Sequence, residues 1–298
     1  MSFNLKIKKD EKIILDPFQH RDGVRQFIRY FHIQAQAPGL EFLQNILRFY
    51  ARLPYENVSK VLKLNRNFTA PTRIRLPEEI IDEHISCNLG GTCFSLTFYL
   101  QSILSMHDFH CYPVMADMRN RPNVHCALVV VLDRRKYLVD PGYLLTQPME
   151  IHPDKPRLYR SPHTGVELRF NPQDERYHLY TFNRQEVKWR YSFQDHPTPA
   201  DEFLHHWQAS FYQGTMHGIC LTRVQNDGLV YLHNNFLQIT TVEGKQKKRL
   251  KGNYQLVIQD IFGIPSELIE EAQKAVNENM QLERKLGLYP CKESDETE

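Results

Sequence analysis

Apolar residues recur at helical spacing in the first part of the chain. Phe27, Ile28, Tyr30 and Phe31 cluster, and Leu43, Ile46, Leu47 and Tyr50 share one face of the stretch Leu40–Tyr50. Pro38-Gly39 separates the two stretches, and Pro54 ends the second or opens a new segment at Tyr55. Mainly helical structure is predicted up to about Leu89. From about Cys111 to Tyr191 the pattern changes to short β-branched and aromatic runs, at 112–118, 126–132, 137–139, 166–170 and 177–182. Strands so short and so regularly spaced predict a barrel or a strongly curved sheet. A polar, proline-bearing break at 194–199 follows. Beyond it come a helical stretch, strands at 218–224 and 229–232, and an amphipathic helix from Ser266 to about Leu286. The tail 291–298 is polar and is expected to be disordered. The division predicted is 1–110 (helical), 111–196 (β-barrel) and 197–298 (mixed), an α+β chain.

Composition narrows the classes. With 37 basic and 35 acidic residues the net charge is +2, which gives no electrostatic reason to expect nucleic acid or an anionic membrane as partner. The opening MSFNLKIKKDEKIILD has no apolar core followed by a small-residue cleavage site, and no apolar run is long enough to span a bilayer. Cys87, Cys93, Cys111, Cys126, Cys220 and Cys291 are dispersed without a Cys-x-x-Cys pair. They read as reduced thiols, and a cytoplasmic protein is the expectation.

The candidate chemistry begins at Asn88-Leu89-Gly90-Gly91-Thr92-Cys93. Cys93, Leu96, Leu100, Ile103 and Leu104 follow helical spacing, and Thr92 suits the N-cap, so Cys93 falls in the first helical turn. There the helix dipole favours thiolate over thiol. The paired glycines permit close approach by a substrate, and nearby amides suit a developing oxyanion. Taken alone, Cys93 reads more readily as a small buried apolar residue than as a nucleophile.

His125 opens the strand at 126–132, the charged turn Asp133-Arg134-Arg135-Lys136 follows, and Tyr137-Leu138-Val139-Asp140 runs back. Pairing Leu132 with Tyr137 sets Val129 opposite Asp140, which places His125 and Asp140 on one face of the sheet but about 13 Å apart along it. A wider turn or a bulge is expected to close that gap. A thiolate to attack an acyl carbonyl, an imidazole to carry the proton and a carboxylate to fix its tautomer would make a complete nucleophilic triad. The bland alternatives are a hydrogen-bonded core histidine and an Asp-Pro-Gly turn.

Leu89-Gly90-Gly91-Thr92-Cys93-Phe94 resembles the Arg-Gly-Gly-x-Cys-Phe motif of the arylamine N-acetyltransferases. The stretch from His125 to Asp140-Pro141-Gly142-Tyr143 is similar to that family's histidine strand and Asp-Val-Gly-Phe segment. Leu53-Pro54-Tyr55-Glu56-Asn57 resembles its Pro-Phe-Glu-Asn block. The resemblance spans most of the chain and weakens after about Pro197. It implies a papain-like cysteine-enzyme core made of a helical bundle, a β-barrel and a third α/β segment. It further implies a triad of Cys93, His125 and Asp140, with Tyr55, Tyr143 and Leu144 at the substrate. The reaction implied is ping-pong transfer from acetyl-CoA, a cosubstrate with no permanently bound cofactor, to an amine, hydrazine or hydroxylamine. Three departures stand out: Leu89 replaces the family's Arg, Pro141 replaces Val, and Tyr143-Leu144 replaces Phe-Gly. The missing Arg leaves Glu56 in need of another donor, with Asn57 and Arg52 nearest in sequence.

Lys245, Lys247, Lys248, Arg249 and Lys251 form a basic run that reads as a solvated hairpin face, with the phosphates of coenzyme A as the alternative. His205-His206, His217 and His233 lack partners at familiar ligand spacing, so no metal is assigned. Tyr177 and Tyr180 read as barrel packing. Two competing functions remain: an amide synthase, transglutaminase-like enzyme or thiol hydrolase using the same triad, and a catalytically silent binding protein.

Overall fold

The computed structural model describes residues 13–288 apart from 70, 119–120, 162, 185, 226–227 and 242, so Cys291 and the tail at 291–298 lie outside the described residues. The helical part comprises α1 (Arg21–Tyr30), α2 (Leu40–Tyr50), α3 (Val58–Arg66), α4 (Pro77–Cys87) and α5 (Cys93–Met106), with the two-residue strand β1 (Tyr55–Glu56) between α2 and α3. The single apolar face read for α5 understates it. Every residue from Cys93 to Leu100 is buried, as are Ser102, Ile103 and Leu104. A helix enclosed on all sides must satisfy its polar side chains internally. Ser102 Oγ donates to the Phe98 carbonyl at 3.0 Å, and Thr97 Oγ1 donates to the Cys126 carbonyl at 3.4 Å.

β2 (His110–Met118), β3 (Arg121–Leu132), β4 (Arg135–Val139), β5 (Met149–Glu150), β6 (Arg157–Arg160), β7 (Gly165–Asn171), β8 (Arg176–Phe182) and β9 (Val187–Phe193) form one antiparallel sheet in the order β5-β4-β3-β2-β9-β8-β7-β6. The sheet curls into a nearly closed barrel, and Arg157 Nη2 donates to Glu150 Oε2 at 2.6 Å where the outermost strands β6 and β5 meet. Val114, Ala127, Val129, Leu138, Val166, Leu168, Leu179, Tyr191 and Phe193 fill its interior. Tyr177 belongs to this packing, its ring 5.5 Å from that of Phe193.

The remaining elements are α6 (Ala200–Ala209), β10 (Cys220–Gln225), β11 (Gly228–His233), β12 (Phe236–Thr240), β13 (Lys245–Arg249), α7 (Tyr254–Phe262) and α8 (Ser266–Lys285). The second sheet runs β1-β10-β11-β12-β13, so a strand from between the first helices completes a sheet built from the last hundred residues. The aromatic face of α6 anchors this part on α5: Phe94 lies 5.4 Å from Phe203 and 6.5 Å from Trp207, centroid to centroid. Burial of each such ring contributes roughly 1.5–3 kcal/mol. No helix is long and apolar enough to cross a membrane among the described residues.

Candidate functional site

Cys93 occupies the first turn of α5. The Thr92 N–H donates to Ser95 Oγ at 3.1 Å, which closes the helix start. Ahead of it, α4 ends on Asn88 in the left-handed region at φ 54°. A side chain at Gly90 would drive into the Pro54 backbone, so the close passage of these two segments requires glycine there.

The hairpin that carries His125 and Asp140 is tighter than the sequence suggested. Leu132 pairs with Arg135, not with Tyr137, across a two-residue turn whose Asp133 and Arg134 have φ of 47° and 64°. Positive φ at both central positions matches the twist of the strands it joins. The shift of two residues leaves every side chain on its expected face. With Leu128 opposite Val139, the next step would bring Ala127 opposite Asp140. His125 then stands two residues off, about 7 Å along the strand. A shorter turn closes the gap for which a wider one was expected.

The side chains meet. His125 Nε2 lies 2.8 Å from Asp140 Oδ2, with both side chains buried. Asp140 also accepts from Tyr191 Oη at 2.6 Å and from the Tyr143 N–H at 3.0 Å. Three partners fix the carboxylate, and the carboxylate fixes the ring, leaving Nδ1 for the sulfur. Gly142 is where the three residues converge. A Cβ there would lie 2.9 Å from His125 Cε1, 3.1 Å from Cys93 Cβ and 3.2 Å from Asp140 Oδ1.

The electrostatics favour a charge-separated pair. Cys93 is held well below the usual thiol range by its hydrogen bond with Cys126, against the opposing effect of burial, and further by His125 and Lys60. His125 is pushed up to about 10: burial works against its charge, but Asp140 and Cys93 outweigh it. Lys60, buried against Ser210 with Nζ donating to Ser210 Oγ at 2.7 Å, is lowered to about 8 by burial. Cys93 itself is 8% exposed.

Tyr143 packs edge-on against His125 at 5.4 Å, and Tyr191 lies 4.8 Å from the same ring. Tyr55 is bridged to Gly91, two residues before Cys93. Leu144 is buried in the turn after Asp140 at φ 52°, where a non-glycine residue carries strain on the order of 1–3 kcal/mol.

Glu56 is fully buried, and its donor is neither Arg52 nor Asn57. Arg52 lies over the Phe49 ring at 4.8 Å, while Asn57 bonds Gly218 O at 2.7 Å and the Cys220 N–H at 2.7 Å. The Ser59 N–H and hydroxyl donate to Glu56 at 2.9 and 2.5 Å, and Arg75 Nη1 stands 3.5 Å away. The same Arg75 nitrogen donates to Gly90 O at 2.7 Å, and Nη2 donates to Glu83 Oε2 at 2.5 Å. Burial nevertheless raises the Glu56 carboxyl above its ordinary value, against Arg75 and Ser59.

Nothing in the sequence marked Arg75, Tyr191 or Lys60. Arg75 lies outside the nucleophile motif, Tyr191 looks like any inward barrel residue, and Lys60 sits on a helix where lysine is ordinarily solvated. Lys245, Lys247, Lys248 and Arg249 of the basic run lie on the edge strand β13, where lysines discourage pairing with another chain. It stands four strand spacings from β1, about 19 Å. Among the described residues no group of three His, Cys, Asp or Glu side chains is close enough to hold a metal. A surface cleft of about 430 Å³ beside Val24, Ile28, His32 and Met106 contains none of the candidate site residues.

A family model described as N-acetyltransferase matches residues 39–270. A search of curated proteins gives no match. Among solved structures, an arylamine N-acetyltransferase from Mycobacterium abscessus superposes with a TM-score of 0.73 at 16% identity, covering 89% of this chain and 97% of that one. The enzyme from M. tuberculosis gives 0.70 at 20% identity, with 85% and 99% covered. One from Bacillus cereus, described as having a unique Cys-His-Glu catalytic triad, gives 0.64 at 19% identity, with 82% and 99% covered. At these identities the structures establish a shared fold, that of a papain-like cysteine-enzyme core.

Proposed function

The chain belongs to the arylamine N-acetyltransferase family, a family of acyl-transferring enzymes, and from that premise we propose a ping-pong reaction through a Cys93 thioester. The donor in this proposal is acetyl-CoA or a related acyl-CoA, and the acceptor is an arylamine, hydrazine or other amine. The observation that carries it is geometric: Asp140 holds His125 at 2.8 Å, and His125 and Cys93, the latter in the first turn of a buried helix, converge to 2.9 and 3.1 Å of one point beside Gly142.

The Cys93 thiolate attacks the thioester carbonyl, and the first-turn amides of α5 hold the developing oxyanion. As the intermediate collapses, the His125 imidazolium gives its proton to the departing coenzyme A thiolate. Neutral His125 then takes a proton from the incoming amine, and the Cys93 thiolate leaves. Asp140, held by Tyr191 and the Tyr143 amide, keeps Nε2 engaged so that Nδ1 serves the sulfur. Tyr55 and Tyr143 border the acceptor. Burial of Cys93 keeps water from the thioester, which favours transfer to an amine over hydrolysis.

The silent-protein alternative drew on the absence of arginine at Leu89. Arg75 supplies a guanidinium to Glu56 and to the Gly90 carbonyl, so the loop before the nucleophile is not left unsupported. The test is intact-mass analysis after mixing with a panel of acyl-CoAs. One acyl group should appear on the wild type, on Cys87→Ala and on Cys111→Ala, and none on Cys93→Ser. Full acylation of Cys93→Ser would overturn the proposal.

A further inference from the structure

Three cationic side chains, Lys60, Arg73 and Arg75, line one small cavity whose apolar wall is made by Trp207 and Phe211. A water-sized sphere can place its centre over about 10 Å³ inside it, which is room for a single small occupant. Lys60 and Arg75 are 7% and 3% exposed. Thr92 also lines the cavity, so it lies against the start of α5, one residue before the nucleophile. The acyl-transfer scheme makes no use of this space.

Each cation brings a donor that the protein does not use. Arg73 Nε and Arg75 Nε are buried without a hydrogen-bond partner among the described residues. The Lys60 ammonium carries three N–H groups. Two of them serve Ser210, at its carbonyl (3.0 Å) and its hydroxyl (2.7 Å), which leaves the third. The hydroxyls in the wall are already engaged, Ser59 Oγ between Arg75 and Glu56 and Ser95 Oγ with the Thr92 backbone. A water set among donors has nowhere to give its own protons, whereas an anion accepts from all of them. The charges agree. Arg75 is matched by Glu56 and Glu83, but among the described residues neither Lys60 nor Arg73 has a carboxylate within ion-pair distance. Both stand over the Phe211 ring instead, 4.8 and 5.0 Å from its centroid. Burial lowers Lys60 to about 8, and the neighbouring Arg73 adds to the effect.

We propose that this cavity binds one small monovalent anion of the halide class, held by Lys60, Arg73 and Arg75 against the start of α5. A tetrahedral oxyanion is too large for the space, while a halide fits once the flexible side chains of Lys60 and Arg73 yield slightly. Because Thr92 adjoins Cys93, the bound anion opposes negative charge on the sulfur and makes the thiol harder to ionise. That consequence rests on Cys93 being the thiolate of the reading above; the binding itself does not.

Crystals of the full-length protein soaked in sodium bromide test the binding through the anomalous signal of bromide. One peak should lie in the cavity, in contact with Lys60 Nζ, Arg73 Nε and Arg75 Nε. In solution, replacing gluconate by chloride at fixed ionic strength should raise the melting temperature to a plateau. The same exchange should raise the pH midpoint of iodoacetamide labelling of Cys93 by on the order of one unit. Arg73→Gln should lose the peak and both chloride responses. If that variant folds poorly, the wild-type peak and melting curves still decide. No bromide in the cavity would overturn the proposal, and so would an adventitious ion only, seen as a peak at soaking concentration with equal melting in chloride and gluconate. Saturable binding that leaves the labelling midpoint unmoved would overturn the effect assigned to Cys93. A protein that binds bromide here but takes no acyl group on Cys93 would sink the proposed function and leave the anion site standing.

Discussion

Arg75 Nη1 lies 3.5 Å from Glu56 Oε1, and both side chains are almost wholly removed from solvent. Ser59 connects them a second way, its hydroxyl accepting from Arg75 at 2.6 Å and donating to Glu56 at 2.5 Å. A carboxylate so buried would be costly without a cation, and the cation has come from a position outside the nucleophile motif.

Removing that cation should therefore be expensive. Arg75→Met is expected to lower stability by about 3–5 kcal/mol, since it strands Glu56 and frees the Gly90 carbonyl. Adding Leu89→Arg to this variant should recover part of the loss, because position 89 precedes the same loop. Leu89→Arg alone should destabilise, since Leu89 is 3% exposed in an apolar cluster. Urea denaturation of all four proteins closes the double-mutant cycle. Strictly additive losses would show that the two positions do not serve one purpose.

The thiolate–imidazolium pair sets a pH signature. Cys93 is lowered and His125 raised to about 10, so the pair is charged throughout the neutral range. Iodoacetamide should alkylate Cys93 at a rate nearly flat across neutrality. That rate should fall only as acid protonates the sulfur through its depressed pKa. In His125→Ala the rise should move up towards the ordinary thiol range, around pH 8.5. An unchanged profile would remove His125 from the mechanism.

Asp140 and Tyr191 act on the ring, not on the substrate. Asp140→Asn should keep the fold yet slow transfer by roughly two to four powers of ten, through the wrong imidazole tautomer. Tyr191→Phe removes one of three bonds to the carboxylate and should cost about tenfold. Single-turnover rates alongside thermal melts separate this from loss of folding. A Tyr191→Phe rate equal to wild type would make the tyrosine simple barrel packing.

What the sequence disclosed follows from where the information lies. The existence of helix α5 with Cys93 in its first turn, the apolar strands of the barrel and the placing of His125 and Asp140 on one face are local patterns, and each has its counterpart in the structure. β6 (Arg157–Arg160) went unread as a strand because edge strands carry charge where central ones carry valine, whereas the basic run, read as a hairpin face, does supply the edge strand β13 (Lys245–Arg249). β9 hid for a related reason, its Lys188 and Arg190 interrupting the apolar run. The hairpin register was misjudged because Asp133-Arg134 lacks the glycine that usually announces a two-residue turn. Arg75 and Tyr191 reach the site through tertiary contacts from distant positions, and no local pattern records such an approach.

Tyr143 gives the last prediction, which concerns the acceptor. Its ring stands edge-on to His125 at 5.4 Å and 5.4 Å from the Tyr191 ring, so it narrows the space beside the imidazole that must deprotonate an incoming amine. The next residue, Leu144, is buried in a left-handed turn and fills volume that a glycine would leave open. Cys93 should therefore acylate readily while small anilines deacylate it slowly. Single-turnover experiments separate the half-reactions: acylation is followed by intact mass, and deacylation by loss of the adduct when amine is added. Tyr143→Phe removes only the hydroxyl and its solvation, so it should change aniline deacylation by less than about tenfold. Tyr143→Ala opens the wall and should speed deacylation by bulky anilines relative to acylation. If simple anilines or hydrazines deacylate the wild type as fast as the donor acylates it, the wall formed by Tyr143 and Leu144 does not limit the acceptor.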